Sequence, residues 1–189
     1  MTGKTHRLIG ITAGLGYYFA SANLQYAPAT FGAVIIGSYF GSLLPDIDQP
    51  AADLWHTLPF GHTVAQVPDA VLSHRGFSHS ILGMAVFGFL IYLLLRMFPD
   101  YWGIDTRMVL IITMIGYASH LLADAFTVEG IPVFYPWRRN FGIPPKPFEG
   151  IRIATGEWFE NLVLFPLVNI ALIVVVIINW SNIKTTLLK

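Results

Sequence analysis

Residues 81–95 read ILGMAVFGFLIYLLL and carry no charge. With His79 and Ser80 before them and Arg96 after, they fill a helix of bilayer length. Reading outward, residues 108–126, MVLIITMIGYASHLLADAF, make another apolar segment with polar residues gathered near its end. Residues 161–180, NLVLFPLVNIALIVVVIINW, make a third, and Trp180 suits an interfacial belt. Toward the N-terminus lie two weaker segments, roughly 7–24 and 29–44, rich in Gly, Ala, Ser and Tyr. Small residues let helices approach closely, so these two are expected in the bundle interior with little lipid contact.

Composition agrees with this reading. Hydrophobic residues make up 54% of the 189 and charged residues 12%, where a soluble domain carries about 25% charged residues. Mean hydropathy is +0.60. The expected fold is all-α: one domain spanning residues 1–189, a polytopic membrane bundle of about five transmembrane helices. The formal net charge is zero, which leaves no basic footprint for nucleic acid. Cysteine is absent, which excludes disulfides and thiolate zinc sites, so a bound metal must use histidine, carboxylate or backbone oxygen. Lys4 and Arg7 precede an apolar run, as in a signal peptide. No small-x-small cleavage site ends that run and further apolar segments follow, so it is read as a retained span.

Two long connections remain. Residues 45–78 are polar with scattered prolines, and residues 127–160 mix Pro132, Pro136, Pro144, Pro145 and Pro147 with aromatics and cations. The second is expected to be an irregular lid at the membrane surface. With five crossings both loops fall on the N-terminal side. That side then holds Lys4, Arg7, Arg75, Arg138, Arg139, Lys146 and Arg152, against Arg96, Arg107, Lys184 and Lys189 opposite. The excess marks the loop side as cytoplasmic.

The unusual polar residues obey the same count. His6 opens the first helix, and Asp46 and Asp48 follow the second, in LLPDIDQP. His74 and His79, in HRGFSHS, precede the third, and His120 and Asp124 sit in the last turns of the fourth. All seven fall on one side, whereas unrelated structural histidines would scatter over both.

His120 and Asp124, four apart, share one helix face and could ligate one metal or adjacent metals. They could equally be a satisfied hydrogen-bonded pair, although an aspartate in a membrane helix is costly without a partner or a cation. Asp46 and Asp48 could both point at a divalent cation; capping a helix would occupy only one of them. Gly76 permits a turn that would aim His74 and His79 at one point. Arg75 could fork onto a phosphate or make a surface contact. Ser78 and Ser80 suit capping or a supporting hydrogen bond. His56 and His62 read as solvated loop residues, and Pro166 and Asn169 as packing and kink residues. Glu157 and Glu160 suit a helix N-terminus, and Glu160 could also serve as a general base or a further ligand.

LLPDIDQP, HRGFSHS and GYASHLLADAFTVEGIPVFYPW, with a histidine near the start, resemble the YdjM-like family of LexA-regulated inner-membrane proteins. That family is described as membrane-bound metal-dependent hydrolases. The resemblance runs from about residue 5 to residue 160. It implies a bacterial inner-membrane location and a site made of His6, Asp46, Asp48, His74, His79, His120 and Asp124.

So many candidate ligands exceed the needs of one tetrahedral ion, so one to two divalent ions are expected. Mixed imidazole and carboxylate donors suit zinc, manganese or iron, with zinc or manganese favoured over magnesium. Beside Arg75, Arg138 and Arg139, such a centre suits a phosphoester of a lipid or lipid-linked substrate. The ligand set is also similar, at a distance, to that of the all-helical zinc-dependent phospholipase C enzymes. The rival readings are a membrane protein that binds metal for structure, regulation or transport, and a bundle whose polar residues bond to one another without metal. Ligands gathered at one end of the bundle argue against transport, which usually places them at the midplane.

Overall fold

A computed structural model describes residues 1–21, 28–49, 55, 76–97, 103–137 and 139–188. Its helices are α1 (Gly3–Ser21), α2 (Pro28–Leu43), α3 (Ile81–Leu95), α4 (Thr106–Ala125), α5 (Phe165–Ile178) and α6 (Trp180–Leu187). A 3-10 turn, Leu44–Asp48, prolongs α2, and a π-type turn, Glu160–Leu164, leads into α5. The described residues contain no extended strands, and the all-helical expectation holds. Three helical stretches are long and apolar enough to cross a membrane: Pro28–Asp48, Thr106–Ala125 and Glu160–Ile178. Ile81–Leu95 is apolar but shorter. The chain is a polytopic membrane protein.

The centre of the bundle is α1, α2 and α4, packed on one another; α5 leans on α1 and α3 on α4. Small residues at the seams explain the closeness. A Cβ at Gly41 would lie 2.1 Å from the Thr113 carbonyl oxygen, and one at Gly10 would lie 2.5 Å from Ser42 Cβ. The two glycine-rich segments are therefore interior helices, as expected from their composition. Between them, Leu15, Tyr18, Phe31, Val34, Met108 and Ile112 form the apolar core, closed at one end by Ile183 of α6. That contact puts the C-terminal helix at the end of the bundle where α1 finishes and α4 begins, away from Asp124. The last helix is not one unbroken span over 161–180: Asn179 interrupts it, and α6 turns onto the core.

Residues 127–137 and 139–159 lie over the opposite end of the bundle. The chain there is irregular but tied down. Ile131 pairs with Phe141 in both directions, at 2.9 and 2.7 Å, and Thr127 is bridged to Ile153. Ile131 is buried against Tyr117, Leu121 and Ala125. The Val133 carbonyl accepts from Ile81 N at 3.0 Å, and the Ala125 carbonyl accepts from Ile143 N at 2.7 Å, which fixes the segment to the ends of α3 and α4. Arg152, counted above among the cations of the loop side, is committed internally. Its guanidinium donates to the carbonyls of Pro144 at 2.9 Å and Gly142 at 3.2 Å.

Candidate metal centre

Four separate pieces of chain converge beneath this covering segment. His6 comes from the first turns of α1. Asp46 comes from the 3-10 turn Leu44–Asp48, whose first positions include Pro45, a residue suited to a helix start because it has no N–H to leave unpaired. His79 precedes α3, whose N-cap is Ser80: its hydroxyl accepts from Gly83 N at 3.0 Å. His120 and Asp124 come from α4, one turn apart on one face, as their spacing requires. His6, His79, His120 and Asp124 are all buried, none more than 1% exposed.

The short loop carrying His79 is anchored to α4. The Tyr117 hydroxyl donates to the Ser78 carbonyl, and Ser78 Oγ lies 3.2 Å from His79 Nδ1. Tyr117 was not singled out from the sequence, although its place three residues before His120 puts it on nearly the same helix face. Ser42 was missed as well, because its contribution comes from the backbone: His120 Nδ1 lies 2.7 Å from the Ser42 carbonyl oxygen.

That contact sets the chemistry of the centre. A carbonyl can only accept, so Nδ1 of His120 carries the proton and, in the neutral ring, the Nε2 lone pair faces inward. Nε2 of His120 lies 3.7 Å from Asp46 Oδ1 and 3.6 Å from Asp124 Oδ2. Nε2 of His79 lies 3.5 Å from Asp46 Oδ1 and 3.6 Å from Asp124 Oδ2. These distances are too long for N–H···O hydrogen bonds, which run about 2.7–3.2 Å, and both Nε2 atoms are buried without a hydrogen-bond partner. Left alone, the His120 lone pair would repel the carboxylates it faces. A cation between them reverses the sign. Ligands about 2.1 Å from a tetrahedral ion stand roughly 3.4 Å apart, close to the separations seen here.

The donor set therefore fits a divalent metal. Two three-residue groups each have ligand atoms mutually within 4.8 Å: His6 with His120 and Asp124, and Asp46 with His79 and His120. They share His120. The ring of His6 stacks on that of His120 at 3.6 Å between centroids, and its Nε2 lies 3.1 Å from Asp124 Oδ1. The Met1 ammonium also lies against Asp124 Oδ1. Asp46 is the most open of the five candidate ligands, with 19% of its side chain accessible, against at most 2% for the others.

The remaining sequence candidates divide. Asp48 is buried in the same turn but belongs to neither group. His74 and Arg75 lie outside the described residues, as do Arg138, His56 and His62. Glu160, expected as a general base or further ligand, has both oxygens engaged elsewhere. Oε1 accepts from Thr2 N at 2.8 Å and Thr5 Oγ at 2.6 Å, and Oε2 accepts from Gly156 N at 2.7 Å. Its carboxylate holds the Thr2 N–H and the hydroxyls of Thr2 and Thr5 at the start of α1, the turn that carries His6. Asn169 donates to the Phe165 carbonyl at 2.8 Å, a local helix contact as expected.

Fold and site together define a class: a helical membrane protein with a buried histidine–aspartate centre, able to hold a divalent cation, at one end of its bundle. The chain belongs to the YdjM inner membrane protein family, which matches residues 1–183. It is 34% identical over 167 residues to the uncharacterized protein YvsG of Bacillus subtilis (strain 168), covering 87% of this chain and 88% of that one. It is 32% identical over 144 residues to the inner membrane protein YdjM of Escherichia coli (strain K12), covering 76% of this chain and 70% of that one. The same figures hold for the YdjM protein of Shigella flexneri. No solved structure matches the chain.

Proposed function

We propose that this protein is a metal-dependent hydrolase of the bacterial inner membrane. Its substrate is a phosphoester of a lipid or lipid-linked molecule, and its site faces the cytoplasm. One observation carries the reading: the buried, unpartnered Nε2 atoms of His79 and His120, set between the carboxylates of Asp46 and Asp124. One or two divalent ions, zinc or manganese by ligand type, would be held by His6, Asp46, His79, His120 and Asp124. Asp48 and His74 are further candidates. A bound ion supplies Lewis-acid polarisation of the phosphoryl oxygen and lowers the pKa of water to about 7.

The protein's own groups do the rest. Ser42 and Ser78 orient the two imidazoles through their far nitrogens, as partners of metal-bound histidines commonly do. Burial by α4 and by the covering segment lowers the local dielectric, so charge interactions there are stronger than in water. Asp46, the most accessible ligand, marks the side of approach. Arg75, in the same HRGFSHS motif as His79, would grip the phosphate as charge develops on its oxygens.

A second reading, a metal-binding membrane protein without catalysis, draws on the near-complete burial of the other four ligands. Detergent-purified protein separates the two. It should contain one to two divalent ions per chain by elemental analysis and hydrolyse a phosphatidate or a simple phosphoester. Chelation should abolish turnover, and zinc or manganese should restore it. Arg75→Lys should depress turnover with metal content unchanged, because lysine keeps the charge and loses the fork. Metal-loaded protein inert toward phospholipids, lipid phosphates and simple phosphoesters would leave the non-catalytic reading.

A further inference from the structure

The proposed hydrolase site faces a phosphate; what lies beneath it bears on the rest of the substrate. An apolar groove of about 350 Å³ runs down the bundle between α2 and α3, with α4 as its floor. On α2 it is lined by Ala33, Ile36 and Phe40, and by Gly37 and Gly41 where α2 packs closely on α4, while Leu44 lines its end nearest the metal centre. Leu95 of α3 and Val109 of α4 line its far part. The lining is almost wholly hydrocarbon. Thr106 and Thr113 add hydroxyls, and that of Thr113 is spent on the Val109 carbonyl at 2.8 Å.

We infer that this groove holds one acyl chain of a membrane glycerolipid whose phosphate ester reaches the metal centre. The inference rests on the hydrolase reading and names its substrate class. Continuity is the first argument. Leu44 opens the turn that carries Asp46, so a lipid with its ester beside Asp46 would drop a tail past Leu44 into the groove. Size is the second. From Ala33 to Leu44 the rise is roughly 16 Å at 1.5 Å per residue, about half of the ~30 Å hydrocarbon core. That is the depth of one leaflet, the reach of a glycerolipid acyl chain.

The test is photolabelling in nanodiscs that contain a phosphatidic acid with a diazirine at mid-chain. Labelling requires no turnover, so its outcome is separate from that of the hydrolase reading. The outer face of α5 is an internal reference, because Leu167, Ile170 and Ile173 are exposed and would meet bulk lipid. Label should concentrate on Val109 and Leu95 above the level on α5. Ala33→Trp, which fills the groove, should bring groove labelling down to the α5 level and leave metal content intact; Leu95→Trp is the second variant. On active protein, a long-chain phosphatidate should be preferred over its dihexanoyl analogue by about tenfold or more, from burial of a few additional methylene groups. Ala33→Trp should erase that preference. Label spread evenly around the lipid-facing perimeter, label unmoved by both variants, or a second copy of the chain cross-linked into the groove would each overturn the inference.

Discussion

Helices α4 and α5 are both stretches of apolar residues long enough to cross a membrane, and they have opposite fates. From Met108 to Ala125, α4 is buried along its length, with Ile112, Tyr117 and His120 wholly enclosed. No residue of α5 is buried. The difference lies in what interrupts the hydrocarbon. In α4, Thr113, Gly116, Tyr117, His120 and Asp124 occupy the faces turned to neighbouring helices, where backbone carbonyls and other side chains receive them. In α5 the interruptions are Pro166 and Asn169, and Asn169 satisfies itself on its own helix. A membrane helix with nothing to hide can face lipid all round. One with ionisable groups must be enclosed, because hydrocarbon offers those groups no partner.

The largest effect should come from the polar end of α4. Asp124→Asn removes a charge that faces His6, His79 and His120. Breaking a buried ion-pair cluster costs about 3–5 kcal/mol, and metal content by elemental analysis should fall toward zero. The parent should lose thermal stability in detergent when a chelator is added, since a ligand at about a hundred times its Kd stabilises by about 2.7 kcal/mol. The variant's melting temperature should not respond to chelation. A variant that keeps full metal content and the parent's chelator response would show that α4 is enclosed for packing alone.

An intermediate effect should follow from the seam between α4 and α2. Gly41→Ala puts a methyl group into the Thr113 carbonyl, a contact that needs backbone movement. Overpacking of this kind costs about 1–3 kcal/mol. The same movement would shift Ser42 relative to His120, so weakened metal retention should accompany the lower melting temperature. The smallest effect belongs to α5. Ile173→Val on its exposed face should change stability by no more than about 0.5 kcal/mol and leave metal content alone. A loss there comparable to Gly41→Ala would mean that α5 is covered by protein in the membrane, which would break the contrast between the helices.

The same contrast explains what was legible beforehand. The apolar runs, the interior place of the glycine-rich segments, the cap at Ser80 and the pairing of His120 with Asp124 all follow from local spacing and composition. Asp46 and His79 were legible as candidates because they flank spans on the side reached by counting crossings. Glu160 misleads at the sequence level. An acidic residue opening a helix near a polar cluster can serve as ligand, base or cap, and only the positions of Thr2, Thr5 and Gly156 choose between them.

By itself, then, the sequence determined that the chain is a helical membrane protein with His6, Asp46, His79, His120 and Asp124 gathered at one end. Hydropathy and side counting are properties of segments and need no knowledge of neighbours. The tertiary structure alone decided that His6 stacks on His120, that the Ser42 carbonyl turns the His120 lone pair inward, and that Arg152 secures the covering segment. It also decided that an open groove descends from Leu44. Each of these is a contact between residues far apart in the chain, made by helices packing a few ångströms apart, and no local pattern encodes which atoms will meet.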